Sequence, residues 1–176
     1  LETPRLTLRR ITEDDAPEIL VFRSDPRMME YIQREPMKNL DESLAKIRDI
    51  SKMIDENNGC EWGICLKGES RIIGTTVLFH LKKDHLRGEV GYQMHWEHRR
   101  KGLTSEAVRA VVNYAFNTCH FHSLEADIDP ENTGSRKLLE KLGFRKEGHF
   151  TDSFHHNGIF YDSAVYSLLK EWLEPV

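Results

Sequence analysis

Arg99-Arg100-Lys101-Gly102-Leu103-Thr104 is the stretch whose reading decides the fold. Ahead of it, Glu89-Val90-Gly91-Tyr92-Gln93-Met94-His95 alternates with the period of a strand. Glu89, Gly91, Gln93 and His95 share one face of that strand, and Val90, Tyr92 and Met94 the other. Behind the stretch, Ser105 to Phe116 reads as a helix, with Leu103, Ala107, Ala110, Val111, Tyr114 and Ala115 turned inward. The six residues are therefore a strand-to-helix turn with three cations and one glycine. The first turn of a helix has unpaired N–H groups and the positive end of the helix dipole. A loop that opens such a helix can wrap a phosphate. Gly102 allows close approach and unusual dihedrals, and Arg99, Arg100 and Lys101 add positive field. A diphosphate suits this cradle; a solvated basic turn is the alternative. Neither GxxxxGK[ST] nor GxGxxG occurs, so the P-loop and the dinucleotide fingerprint are excluded.

Working outward, Leu6 to Ile11 predicts a first strand. A helix follows, with Asp15-x-x-Glu18 as a capping box, Pro17 in the first turn, and Ile19 and Leu20 inward. Asp25-Pro26-Arg27-Met28 breaks it. Leu40, Leu44, Ile47, Ile50 and Ile54 recur at helical spacing, which predicts a helix over Asp41 to Glu56 ended by Asn58-Gly59. Glu61 to Leu66 and Arg71 to His80 are strand-like. Ser123 to Asp129 is a further strand, stopped by Pro130. Asn132 caps a last helix with Leu138, Leu139 and Leu142 inward, and Gly143 ends it. Phe144 to Phe154 and Ile159 to Leu168 predict a hairpin around Asn157-Gly158. The order β–α–α–β–β–β–α–β–α–β–β is a mixed, mostly antiparallel α/β sheet with helices on its faces.

The chain's 176 residues suit one domain spanning 1–176. A formal charge of −4 lacks the basic surplus of a nucleic-acid protein. No long apolar run suggests a membrane span. Three cysteines, Cys60, Cys65 and Cys119, fit neither a zinc site nor a disulfide framework, which points to a reducing cytoplasm. Nine histidines include three close pairs, but none has zincin or finger spacing, so no metal is expected.

Arg99-x-x-Gly102-x-Thr104 resembles the Q/R-x-x-G-x-G/A signature of the GNAT acetyltransferase superfamily. Gly91-Tyr92-Gln93-Met94 through Ser105-Glu106-Ala107, with Asn132-Thr133-Gly134-Ser135 through Glu140-Lys141-Leu142-Gly143-Phe144, resembles its ribosomal-protein alanine/serine N-acetyltransferase branch. The resemblance runs from Arg5-Leu6 to Leu169. It implies a GNAT fold of about seven strands, splayed between the fourth and fifth, where acetyl-CoA sits. It implies direct attack of an amine on acetyl-CoA in a ternary complex, the acceptor being a small amine or a protein N-terminus. A homodimer is plausible by the same analogy.

The resemblance puts the pyrophosphate on N–H groups from Arg100 to Thr104, Leu103 included, beside Arg99, Lys101 and Gly102. It pairs pantetheine with backbone near Met94 and with Asn132. Glu89 is the first candidate for general base, with Asp152 and His155 behind it. Ser135 is the candidate acid, and Tyr166 the alternative. Arg100 stands where relatives usually carry Gly, and Thr104 where they carry Gly or Ala. Phe154 stands where some relatives carry a Glu, which leaves a non-catalytic CoA-binding domain as the rival reading.

Overall fold

The computed structural model describes residues 1–173; the last three residues of the 1–176 span lie outside the described residues. Seven strands form one sheet: β1 (Leu6–Arg10), β2 (Cys60–Leu66), β3 (Ile72–Lys82), β4 (Arg87–Met94), β5 (Ser123–Ile128), β6 (Arg145–His156) and β7 (Ile159–Leu169). Their order across the sheet is β1-β2-β3-β4-β5-β7-β6. Neighbours are antiparallel except β4 and β5. Among the described residues five α-helices complete the fold: α1 (Ala16–Ser24), α2 (Pro26–Met29), α3 (Leu40–Asp55), α4 (Leu103–Asn117) and α5 (Thr133–Lys141).

Two apolar clusters cover the two faces. Ile19 and Phe22 of α1, Ile47 and Ile50 of α3, and Ile72 of β3 make one. Val90 and Met94 of β4 meet Ala107, Val108, Val111 and Phe116 of α4 and Leu139 of α5 in the other. Alternation along β4 therefore works as the sequence predicts: Val90 and Met94 go to the α4 face, and Glu89, Gly91 and Gln93 to the α1–α3 face. Asn157 (φ 49°) and Gly158 (φ 79°) are both left-handed, the conformation a two-residue hairpin turn requires.

The parallel β4–β5 ladder is short. It pairs Arg87, Gly88 and Glu89 with Ser123, Leu124 and Glu125 and then stops. Val90 to Met94 stay on β3, and Ala126 to Ile128 stay on β7, so the sheet forks. The fork is the splay that the family resemblance implies between the fourth and fifth strands.

Two sequence expectations change. Asp15 does not cap α1 through a box with Glu18. Its carboxylate instead accepts from the Thr12 N–H at 2.8 Å, in a capping box over the 3-10 turn Glu13–Asp15. Glu18 pairs with Arg71 at 3.0 Å. Leu40, expected on the apolar face of its helix, is α3's first residue and is exposed, since Asn39 caps the helix ahead of it through the Glu42 N–H.

Asp15 is buried and takes a two-pronged contact from Arg9, at 2.6 and 2.8 Å. Burial alone would raise its pKa, but the Arg9 and Thr12 hydrogen bonds outweigh this and hold it below the ordinary carboxylate value. A depressed carboxylate stabilises the fold above its unfolded value of 3.8 and loses that contribution as pH falls through the folded value. Asp15→Asn should cost about 1–3 kcal/mol at neutral pH. In urea titrations the gap from the parent protein should close as pH drops below 3.8; a pH-independent gap would deny the charge any part.

Candidate active site

The loop that opens α4 is built around two left-handed residues, Arg100 (φ 64°) and Gly102 (φ 76°). Gly102 is the N-cap of α4 and has no side chain to cap it. The first helical bond is Glu106 N–H to the Gly102 carbonyl, at 3.1 Å. The N–H groups of Leu103, Thr104 and Ser105 therefore have no partner within the helix. A side-chain cap would contribute about 1 kcal/mol. The buried face of α4, from Leu103 to Phe116, contributes several times that, so the helix holds without a cap. What results is a helix start with free donors at the open end of the fork.

Other segments brace this loop. The Arg5 guanidinium donates to the Lys101 carbonyl at 3.0 Å and to Glu106 at 2.6 Å. Glu106 also accepts from the Thr3 hydroxyl and the Arg5 N–H. Arg99 Nε donates to the Met94 carbonyl at 3.0 Å, and its Nη2 to the Arg27 carbonyl at 2.9 Å. The Arg99 side chain thus ties the end of β4 to α2. Arg100 and Lys101 are exposed on the loop, and Thr104 is half-buried in the first turn of α4.

The Met94 backbone points into the fork. His95 N–H bonds the Ile73 carbonyl of β3, and alternation turns the Met94 N–H and carbonyl the other way. Arg99 occupies that carbonyl, while the Met94 side chain is core. Across the fork, Asn132 caps α5 by accepting from the Ser135 N–H at 3.0 Å. The Ser135 hydroxyl lies 2.6 Å from the Tyr92 hydroxyl. Burial, partly offset by Ser135, raises the Tyr92 phenol well above its ordinary value, so it stays protonated. Tyr92 is the functional candidate that sequence reasoning missed. The sequence puts it on one strand face with Val90 and Met94, and only the meeting of β4 with α5 puts it on Ser135. Tyr166, the alternative acid, is buried on β7 with its phenol raised, again by burial first.

Glu89 lies on the opposite face, at the last rung before the fork opens. Its Oε2 is 2.8 Å from His80 Nδ1. Burial raises its pKa, His80 opposes this, and Asp127 and Glu125 of β5 add to it. Asp152 and His155 sit instead on the β6 edge. Asp152 donates its N–H to Asp162, and the His155 ring lies 4.8 Å from Phe160. Ligating atoms of His95, Glu97 and His98 come within 4.8 Å of one another. Arg71 faces this cluster and works against a cation there.

Residues 5–145 match the model of the acetyltransferase (GNAT) domain, and the chain belongs to that family of N-acetyltransferases. It is 35% identical to the uncharacterized N-acetyltransferase YoaA of Bacillus subtilis, over 97% of this chain and 96% of that one. It is 27% identical to the uS5-alanine N-acetyltransferase of Escherichia coli, over 96% and 89%. A GNAT-family acetyltransferase from Bacillus anthracis superposes with a TM-score of 0.86 at 26% identity, covering 97% and 98%. The spermidine N-acetyltransferase of Vibrio cholerae, solved with CoA and spermine, shares the fold with a TM-score of 0.84 at 24% identity, covering 96% and 98%. Among the described residues no helix is long and apolar enough to cross a membrane.

A left-handed arginine is strained where glycine would not be, by about 1 kcal/mol. Arg100→Gly should therefore raise the unfolding free energy by up to that amount, seen as a higher urea midpoint and offset in part by glycine's greater unfolded entropy. A lower midpoint would show that the Arg100 side chain stabilises the loop by more than its backbone costs.

Proposed function

We propose that this chain transfers the acetyl group of acetyl-CoA to a primary amine, by direct attack within a ternary complex. The observation that carries the reading is the fork itself: a strand edge with free backbone groups, ending at a helix start with free donors. The diphosphate of CoA suits the N–H groups from Arg100 to Thr104, and Gly102 admits it closely. Lys101 and Arg100 supply positive field, and Arg99 holds the loop to β4. Pantetheine adds as a strand along Met94 and reaches Asn132. The bound CoA in the Vibrio cholerae neighbour agrees with this use of the fold.

The roles follow from the two faces. Attack of the amine on the thioester carbonyl builds an oxyanion, which the Met94 N–H stabilises. The departing thiolate takes its proton from Ser135, which the Tyr92 phenol resupplies. The attacking amine must first be neutral, and Glu89 receives its proton. Glu89 and Tyr92 are three residues apart on one strand, about 10 Å, so that proton travels through water. The acceptor belongs to the amine class that relatives' names illustrate, a protein N-terminal alanine or a polyamine.

The test begins with calorimetric titration of acetyl-CoA into the protein, Gly102→Asn and Gly102→Glu. Asn tolerates the left-handed backbone. It should keep most of the affinity, while Glu should abolish it. A panel of spermidine, an alanine-initiated peptide and an amino sugar, read by thiol release, then seeks the acceptor. Glu89→Gln should lower kcat about 10²–10⁴-fold with acetyl-CoA binding intact. In the parent, activity should fall as pH drops through a Glu89 value above the ordinary 4.5, because the protonated acid accepts nothing. No acetyl-CoA binding by the parent protein would sink the reading.

A further inference from the structure

His80 is the residue of β3 that breaks the strand's own rule. The β3–β4 register pairs Phe79 with Glu89, then resumes with Lys82 opposite Arg87, so β3 holds one extra residue. Gly88 faces Leu78 and Leu81 on the α4 side. Leu81 thus takes the place opposite Gly88, and His80 is the insertion. Its backbone is left-handed, φ 47°, which a Cβ-bearing residue adopts only at a cost. That bulge turns the imidazole to the Glu89 face, against the Phe79 ring at 4.3 Å.

The contact it makes is specific. His80 Nδ1 is 2.8 Å from Glu89 Oε2, and the rest of the ring is in solvent: the side chain is 70% exposed against 22% for Glu89. The other charged groups near Glu89 are already paired or repel it. Glu125 is held by Arg87 at 2.8 Å and Lys82 at 3.5 Å. Asp127 leans on Ser163 and raises Glu89 further. His80 is the one basic side chain that pairs with Glu89 among the described residues.

We propose that His80 is a positioning residue that fixes the Glu89 carboxylate and passes its proton to solvent. This rests on the reading of Glu89 as the base. The balance is simple. An N–H bond of the substrate ammonium breaks, and the proton reaches Glu89 through water. It passes from Oε2 to the Nδ1 lone pair of the Nε2–H tautomer, the Nε2 proton leaves to bulk water, and the ring, now the Nδ1–H tautomer donating to the Glu89 anion, returns to Nε2–H by proton exchange with water before the next turnover. Glu89 is then an anion again and His80 neutral. The bulge gives the half-buried carboxylate a one-residue exit, and the local strain is the cost of placing it.

The experiment measures kcat and its pH profile with whichever of spermidine, an alanine-initiated peptide or an amino sugar turns over fastest, at saturating acetyl-CoA. His80→Asn tolerates the left-handed backbone and keeps an N–H for Glu89 but cannot relay a proton. His80→Gly frees the backbone and leaves room for added imidazole. Both should lose about tenfold or more in kcat with acetyl-CoA affinity unchanged. Imidazole should restore most of the rate to the Gly variant, and that variant should melt at a higher temperature than the parent. Parent-like rates in both variants, or a loss in the Gly variant that imidazole leaves untouched, would overturn the proposal. Glu89→Gln run alongside separates the two claims. If it too keeps the parent rate, the base assignment falls and this falls with it. If it is inactive while the His80 variants are not, only the relay falls. No turnover of any of the three amines overturns both.

Discussion

The geometry of the candidate site depends on one interruption: the pairing of β4 with β5 ends at Glu89 and Glu125. A parallel pair that ran on would bury its backbone groups in a ladder and leave nothing for a ligand. Stopping after three rungs turns Met94's N–H into an open donor and leaves a slot between two strands. Each strand stays ordered because its other edge is fully paired, β4 with β3 and β5 with β7. The slot is therefore rigid without being filled.

The fork also sorts the chemistry by face. Because successive side chains on β4 alternate, Tyr92 falls with α5 and Ser135, and Glu89 falls with the opposite face. In the proposed reaction this separates the group that protonates the leaving thiolate from the group that takes the amine's proton. A single strand thereby supplies the backbone donor of the oxyanion site and both proton partners. Two of the left-handed positions that carry side chains border it: His80 at the bulge beside Glu89, and Arg100 where the strand turns into α4. Neither belongs to the apolar core, and the slot they border gives their strain a context.

Much of this was legible in the sequence. The strand from Glu89, the turn at Gly102 and the helix behind it follow from periodicity and one glycine. The hairpin follows from Asn157-Gly158, and the cap on α5 from Asn132. What periodicity could not give was partnership between distant segments. Asp15 looks like a cap for the helix after it. Its carboxylate instead takes Arg9, six residues earlier on a strand, and the Thr12 N–H of the turn before that helix. Arg99 looks like a phosphate ligand, yet the carbonyls of Met94 and Arg27 take its guanidinium. Tyr92 looks like core until α5 brings Ser135 to its hydroxyl. His80 looks like an ordinary strand residue, because a one-residue bulge leaves no mark on a run of alternating side chains. In each case the missing information is a tertiary contact that no local pattern encodes.

The central claim is that the slot between β4 and β5 receives acetyl-CoA. Amide chemical-shift mapping during an acetyl-CoA titration tests it most directly. The account predicts that the largest shifts fall on Tyr92, Met94, Gly102, Leu103, Thr104 and Ser135, with α3 and the β6–β7 hairpin tip little moved. Saturable shifts centred elsewhere, with the fork residues unmoved, would contradict it.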